Sequence, residues 1–292
     1  MLIFLEIFLY ICYLRPDMRT VPGMLRGQAV RLAPSLCMTA TATANEIKEL
    51  KMVMGLRDTN TVVLTADPVQ SQFNFVRVER PPNIRGTIGT EEMDGTVKPG
   101  LAHVMKRLIF DNYVDKIRKG EPVKRSLWLC RNISDVIDLY EELAEMLPEQ
   151  AADPLTCPFV KNHSSIGPIT AENLRKRRSS ISLYLTTSVM LLGLDLENID
   201  IIGMIRPFNH CHDILQAAGR GGRKLGELGK RRKVVFYLLY NASDISNAVP
   251  GMTAEVKEFC ETDGCLKMFL RSKFGVVDQT KSDPGWCCSS CG

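Results

Sequence analysis

Ile199-Asp-Ile-Ile-Gly-Met-Ile205 is followed, a few residues on, by Asp213-Ile-Leu-Gln216-Ala-Ala-Gly219-Arg220-Gly-Gly222-Arg223. The first run, apolar but for Asp200, reads as a strand. The second has the spacing of a helix, with Asp213 at the N-cap. At about 3.6 residues per turn, Gln216, Arg220 and Arg223 fall on one side of that helix. Gly219 and Gly222 remove side chains from part of its surface, so a backbone or ligand can come close. A guanidinium stays charged and presents a planar fork of donors, which suits phosphate oxygens. Read alone, two arginines three apart are a solvated basic helix. The glutamine and glycines around them favour a phosphate site.

The same alternation runs outward in both directions. Residues 29–43, running into Leu36-Cys-Met-Thr39-Ala-Thr41-Ala-Thr43, read as a short apolar strand that ends in a small hydroxyl-rich turn, and Asn45 to Met54 has helical apolar spacing up to Gly55. Thr61-Val-Val-Leu-Thr65 reads as a buried strand, and Arg80-Pro-Pro-Asn83 as a hinge. A helix is expected from about Leu101 to Lys119, ended by Gly120-Glu-Pro122. Ser126 to Cys130 is a strand, and Ser134 is expected to cap a helix that runs to Leu147. Pro148 to Pro158 reads as loop, Ile181 to Thr186 and Lys233 to Tyr240 as strands, and Lys224 to Lys233 as an exposed loop. Strands alternating with helices predict an α/β fold with a parallel sheet flanked by helices.

Composition sets the class. The chain has 292 residues and is 45% hydrophobic, ample for a packed core, so this is a globular protein. Net charge is only +4, but the positive charge is bunched at Arg175 to Arg178 and from Arg220 to Lys233, which suits a polyanionic partner. Met1 to Leu14 is apolar apart from Glu6, yet too short to span a bilayer, and it lacks a basic leader and a cleavage site. It reads as a buried strand or helix, or the ragged start of a truncated gene product, in preference to a signal anchor. Of ten cysteines, five crowd the C-terminus: Cys260, Cys265, Cys287, Cys288 and Cys291. Such clustering with a Cys-x2-Cys pair is metal-like and fits a reducing compartment better than a disulfide scaffold.

Several segments, in order, carry a resemblance. Met38-Thr39-Ala-Thr41-Ala-Thr43 is similar to helicase motif III, preceded by Tyr13-Leu-Arg-Pro-Asp17. Asn162-His163-Ser164 before Arg175 is similar to motif IVa. Thr187-Ser-Val-Met-Leu-Leu-Gly193-Leu-Asp195 is similar to motif V, and Gln216 to Arg223 to motif VI. Together they resemble the RecQ family of superfamily 2 DNA helicases over residues 13–292. The resemblance implies a RecA-like fold with an incomplete first lobe at 1–80, a second helicase lobe at 81–245 and a helical zinc-binding element at 246–292. It implies ATP-dependent 3′-to-5′ unwinding of DNA at single strands and duplex junctions, in replication, recombination or repair, in the nucleus, with no membrane partner. Arg223 would be the finger that reaches the ATP γ-phosphate, Arg220 its partner, and Gln216 would sit at the nucleotide cleft or couple it to DNA. Gly193 and Asp195 would sense nucleotide, while Thr39, Thr41, His163 and Thr187 would touch DNA or couple it to hydrolysis. Outside that context Thr39 and Thr41 are helix caps, Asp195 a loop acid and His163 a surface residue. ATP, Mg²⁺ and Zn²⁺ are the implied ligands. Cys265, Cys287, Cys288 and Cys291 are the expected zinc set, with Cys260 as the alternative to Cys287.

The chain departs from the family in two respects. It contains no GxxxxGK[ST] phosphate loop and no DExH-type acidic motif, both of which should precede motif III. ATP hydrolysis by this chain alone is therefore expected to be negligible, and a non-catalytic module that binds nucleic acid or a partner is the alternative reading. Motif V has Val189 and Leu191 where the family prefers small residues, which hinders close approach of a strand there. A DEAD-box RNA helicase is the weaker alternative, because Gln216-Ala217 stands where that family has His-Arg.

Overall fold

The computed structural model describes residues 2–4, 36–38, 43, 47–49, 51–52, 72–79, 113–154, 156–163, 180–188, 196, 198–222, 232–275 and 287–291. The strand expected at Thr61–Thr65, the hinge at Arg80–Asn83, the Arg175–Arg178 run and most of the helix expected from Leu101 lie outside them. The chain divides into two compact units, residues 1–70 with 267–281, and 71–266 with 282–292.

In the first unit β1 (Leu2–Phe4) pairs in parallel with β2 (Leu36–Met38), Ile3 opposite Cys37. Residues 47–49 and 51–52 are helical, and Ile47 N–H donates to the Thr43 carbonyl.

The second unit is built on six parallel strands: β3 (Phe73–Glu79), β4 (Ser126–Cys130), β5 (Phe159–Asn162), β6 (Leu183–Thr186), β7 (Ile201–Ile205) and β8 (Val234–Tyr240), in the order β3-β8-β7-β4-β6-β5. Helices flank it: α1 (Asp115–Arg118), α2 (Ile133–Met146), α3 (Pro148–Ala151), α4 (Cys211–Ala218) and α5 (Ala254–Glu261); α6 (Leu266–Lys273) belongs almost entirely to the first unit. Every residue of β4 and β7 is buried, as expected for central parallel strands covered on both faces. On one face Trp128, Leu183, Leu185, Ile201 and Ile205 form a core with Val136 and Leu143 of α2. On the other, the Phe75 ring lies 5.3 Å from that of Phe236 and edge-on to Phe259 of α5. Such aromatic pairs add roughly 0.5–1.5 kcal/mol beyond the area they bury.

Several local expectations are corrected. The helix carrying Gln216 stops at Ala218 with Gly219 as its C-cap, so Arg220 stands in a turn beyond it. Three glycines in four residues favour that ending, because each costs about 1 kcal/mol in a helix interior. Its N-cap is His210, which leaves Asp213 in the first turn, where a carboxylate meets the positive end of the helix dipole. Likewise Asn132, not Ser134, is the N-cap of α2. The Pro148–Pro158 stretch contains α3, started by proline at its first position. Residues 73–79, for which no strand was expected, form β3 and pair with β8 along their whole length.

Candidate functional site

A parallel sheet has two ends, and the residues of interest divide between them. From β4 the chain crosses to the edge strand β5, returns to β6, and then passes to the other side of β4 at β7. In such open sheets ligands collect at the carboxyl ends of the strands, beside that reversal. Here His163 follows β5, Thr187 follows β6, Arg131 follows β4 and Arg206 follows β7. Thr187 is buried, and its N–H donates to the Asn162 carbonyl at 3.3 Å. His163 is half-buried.

Arg131 and Arg206 belong to an ion network that no sequence motif announced. Arg206 reaches Asp135 of α2 at 2.9 Å and Asp244 at 3.4 Å, and Arg131 reaches Asp244 at 3.7 Å. Both Arg131 Nη atoms also donate to the Asp244 carbonyl at 3.0 Å. Asp244 is the third residue of a capping box with Asn241 after β8, so its carboxylate also accepts from the Asn241 N–H at 2.9 Å. Arg206 itself has a φ of 61°, a left-handed conformation that costs a non-glycine residue about 1–2 kcal/mol. Two arginines and two carboxylates thus tie the ends of β4, β7 and β8 together. The legible hint was an arginine directly after each of the apolar runs of β4 and β7.

The turn after α4 lies at the opposite, amino end. Arg220 N–H donates to the Ala217 carbonyl at 3.0 Å, Gly221 N–H to Ala218 at 2.9 Å, and Gly222 N–H to Ile199, just before β7, at 3.3 Å. Gly221 and Gly222 are demanded by this packing and not by a ligand. A Cβ on Gly221 would meet Val234 Cγ1 at 2.7 Å, and Gly222 (φ +61°) sits under the Arg232 carbonyl and Gln72. Gln216 and Arg220 are both half-buried at this end. Roughly 15 Å of strand separates them from Thr187 and His163. Thr39, Thr41, Gly193, Asp195 and Arg223 lie outside the described residues.

The cysteines do converge. The sulfurs of Cys265, Cys287, Cys288 and Cys291 lie within 4.8 Å of one another. Measured pairs are 3.4 Å for Cys265–Cys287, 3.9 Å for Cys265–Cys288 and 3.4 Å for Cys288–Cys291. A tetrahedron of thiolates at the Zn–S distance of about 2.3 Å has edges of about 3.8 Å. The donor set and its spacing fit zinc, and the four could hold one ion. Burial raises the Cys288 thiol, but the Leu266 N–H at 3.4 Å and the neighbouring thiols outweigh it, so the net shift is downward, toward thiolate. Cys260 lies outside the group: it is wholly buried, and burial pushes its thiol up.

No family model matches the chain, and no curated protein matches it by sequence. Solved structures do share its fold. The DUF1998 helicase MrfA bound to DNA and AMPPNP aligns with a TM-score of 0.55 and 15% identity, over 78% of this chain and 29% of that one. Dbp5 of S. cerevisiae bound to RNA and ADP BeF3 aligns with a TM-score of 0.50 and 12% identity, over 88% of this chain and 56% of that one. The chain thus spans about half or less of the length of these proteins. The likeness is one of fold alone: a RecA-like parallel sheet flanked by helices.

Proposed function

We propose that this chain supplies the second RecA-like lobe of an ATP-dependent nucleic-acid helicase, and specifically of a RecQ-type 3′-to-5′ DNA helicase acting in the nucleus in replication, recombination or repair. The observation that carries the proposal is a conjunction. One RecA-like sheet bears the Gln216–Gly222 turn at one end, hydroxyl and imidazole groups at the other, and a cluster of four sulfurs at its side.

In this reading Arg220, at the amino end of the sheet, and Arg223 after it act on the γ-phosphate of ATP held, with its Mg²⁺, on a lobe that carries a phosphate loop. A planar guanidinium pair stabilises the charge that spreads over the transferring phosphoryl group. Gln216, Gly193 and Asp195 line the same nucleotide site. Thr187 and His163 at the carboxyl end, with Thr39 and Thr41, contact the translocating strand. Affinity for that strand would come mainly from phosphate contacts. The four cysteines hold Zn²⁺, which supplies folding energy and no reaction chemistry.

These 292 residues contain no phosphate loop, which favours a second reading, a nucleic-acid- or partner-binding module without turnover. Fusing a phosphate-loop-bearing lobe upstream separates the two. The first reading expects hydrolysis to appear and to fall about a thousandfold in Arg223→Ala, as for arginine fingers generally. The unfused chain should bind a 3′-tailed DNA with an affinity that declines steeply with salt and should not hydrolyse ATP. Tighter binding to RNA of the same sequence, or Arg223-dependent hydrolysis by the unfused chain, would contradict the assignment.

A further inference from the structure

Strand β3 is the last of the six, paired with β8 through alternate residues of its backbone, Phe73 opposite Val234 and Glu79 opposite Tyr240. Its other edge would be open to strand addition from outside, a hazard that natural sheets block. The cysteine segment covers it. Phe75 N–H donates to the Cys287 carbonyl at 3.2 Å, and Ser289 N–H donates to the Phe75 carbonyl at 2.8 Å, a parallel bridge centred on Cys288. Arg77, two residues on and facing the same way, donates its N–H to Ser289 Oγ at 3.2 Å.

The Arg77 side chain completes the attachment. Nη1 donates to the Cys260 carbonyl near the end of α5 at 2.7 Å, and Nη2 to Ser290 Oγ at 2.8 Å. The Tyr240 hydroxyl of β8 donates to that same Cys260 carbonyl. One guanidinium therefore joins the segment of Cys287, Cys288 and Cys291 to the helix that leads into Cys265.

We propose that the edge of β3 is part of the metal centre. Phe75 and the Arg77 guanidinium act as positioning groups that hold three of the four sulfurs at ligating distance, and the bound ion in return keeps the sheet edge covered. The inference rests on the reading of the four cysteines as a zinc site. Its physical basis is mutual. Four sulfurs within 4.8 Å of one another ligate a metal as thiolates, and thiolates held that close need a cation between them. A ladder of two backbone bonds is a weak clasp unless the segment is ordered by other means. Each constraint makes the other cheaper, and the coupling is reciprocal.

The full chain, purified with zinc, tests this by two readouts. Zinc affinity is measured by competition with a chromophoric chelator, and amide exchange is followed over residues 73–79 with and without chelator. Removal of zinc should speed exchange at Phe75 and Arg77 while β7 and β8 stay protected. Arg77→Leu, which keeps the aliphatic stem but loses both donors, should weaken zinc binding about tenfold, the low end for groups that orient metal ligands. Ser290→Ala should weaken it by less. If Arg77→Leu does not fold, the exchange experiment and Ser290→Ala still decide. One equivalent of zinc bound with Phe75 exchange unchanged by chelation would overturn the coupling. So would wild-type affinity in both variants, or loss of protection across β7 and β8 together with β3. Failure of the chain to bind any zinc would instead defeat the reading of the cysteine cluster, and the inference with it.

Discussion

At the scale of single residues, glycine identity separates into two physical cases. Gly203 in β7 lies under the Trp128 ring, whose Cε3 would stand 2.0 Å from an added Cβ. Trp128 is 2% exposed and stacks on Tyr237, so it has nowhere to retreat. Gly203→Ala should therefore cost roughly 3 kcal/mol by overpacking, read as a lower urea midpoint with altered tryptophan fluorescence. Gly120, by contrast, has a φ of +66° but open space around it. Gly120→Ala should cost only the backbone strain, about 1 kcal/mol. Equal losses in the two variants would contradict this division. A sequence shows both glycines alike; the coordinates of Trp128 tell them apart.

At the scale of elements, the ends of three central strands are clamped by charge. Asp244 is 2% exposed and serves Arg206, Arg131 and the Asn241 N–H at once. Removing one partner from such a set leaves the others buried and uncompensated, which costs about 3 kcal/mol or more. Asp244→Ala should show that loss in equilibrium unfolding. A cost below about 1 kcal/mol would mean that water satisfies the two arginines. The clamp also explains why Arg206 tolerates a left-handed backbone: its N–H donates to the Leu239 carbonyl at 2.9 Å, and its side chain is fixed by two carboxylates. The loop from β7 to α4 leaves from that residue, so the clamp helps set where Gln216 and Arg220 arrive.

For the molecule as a whole, alkali reveals how its phenols are held. Tyr113 is 2% exposed; burial raises its hydroxyl well above the usual phenol range, opposed in part by the hydrogen bond with Ser182 at 3.0 Å. Burial raises Tyr237 as well. The sign follows from linkage. Below about pH 10 both folded and unfolded chains keep these phenol protons, which then contribute no slope. Above it the unfolded chain releases protons that the fold retains, so stability falls as pH rises, by about 1.4 kcal/mol per pH unit for each fully retained proton. Unfolding midpoints between about pH 9 and 11 should decline, and Tyr113→Phe should make the decline shallower. An unchanged slope in that variant would show that Tyr113 ionises within the fold. Among the described residues no helix is long and apolar enough to cross a membrane.

Central strands were legible because burial on both faces leaves nothing but apolar residues: β4, β7 and β8 stand out as Leu-Trp-Leu, Ile-Ile-Gly-Met-Ile and Val-Val-Phe-Tyr-Leu-Leu. Edge strands were not, because β3 mixes Asn74, Arg77 and Glu79 into its pattern and β5 is four residues with Lys161 inside. The α/β class, the parallel sheet and the short list of cysteines are thus properties of the chain's local chemistry. Three things waited on tertiary structure. The placement of the Arg220 turn and Thr187 at opposite ends of the sheet depends on which way each strand runs. The Asp135–Arg206–Asp244–Arg131 network joins residues far apart in sequence. The grouping of Cys287, and not Cys260, with the other three sulfurs appears only once the chain has folded Cys287 against the edge of β3, where its carbonyl accepts from the Phe75 N–H. Periodicity reports how a residue meets water; it carries no information about which distant backbone it will meet.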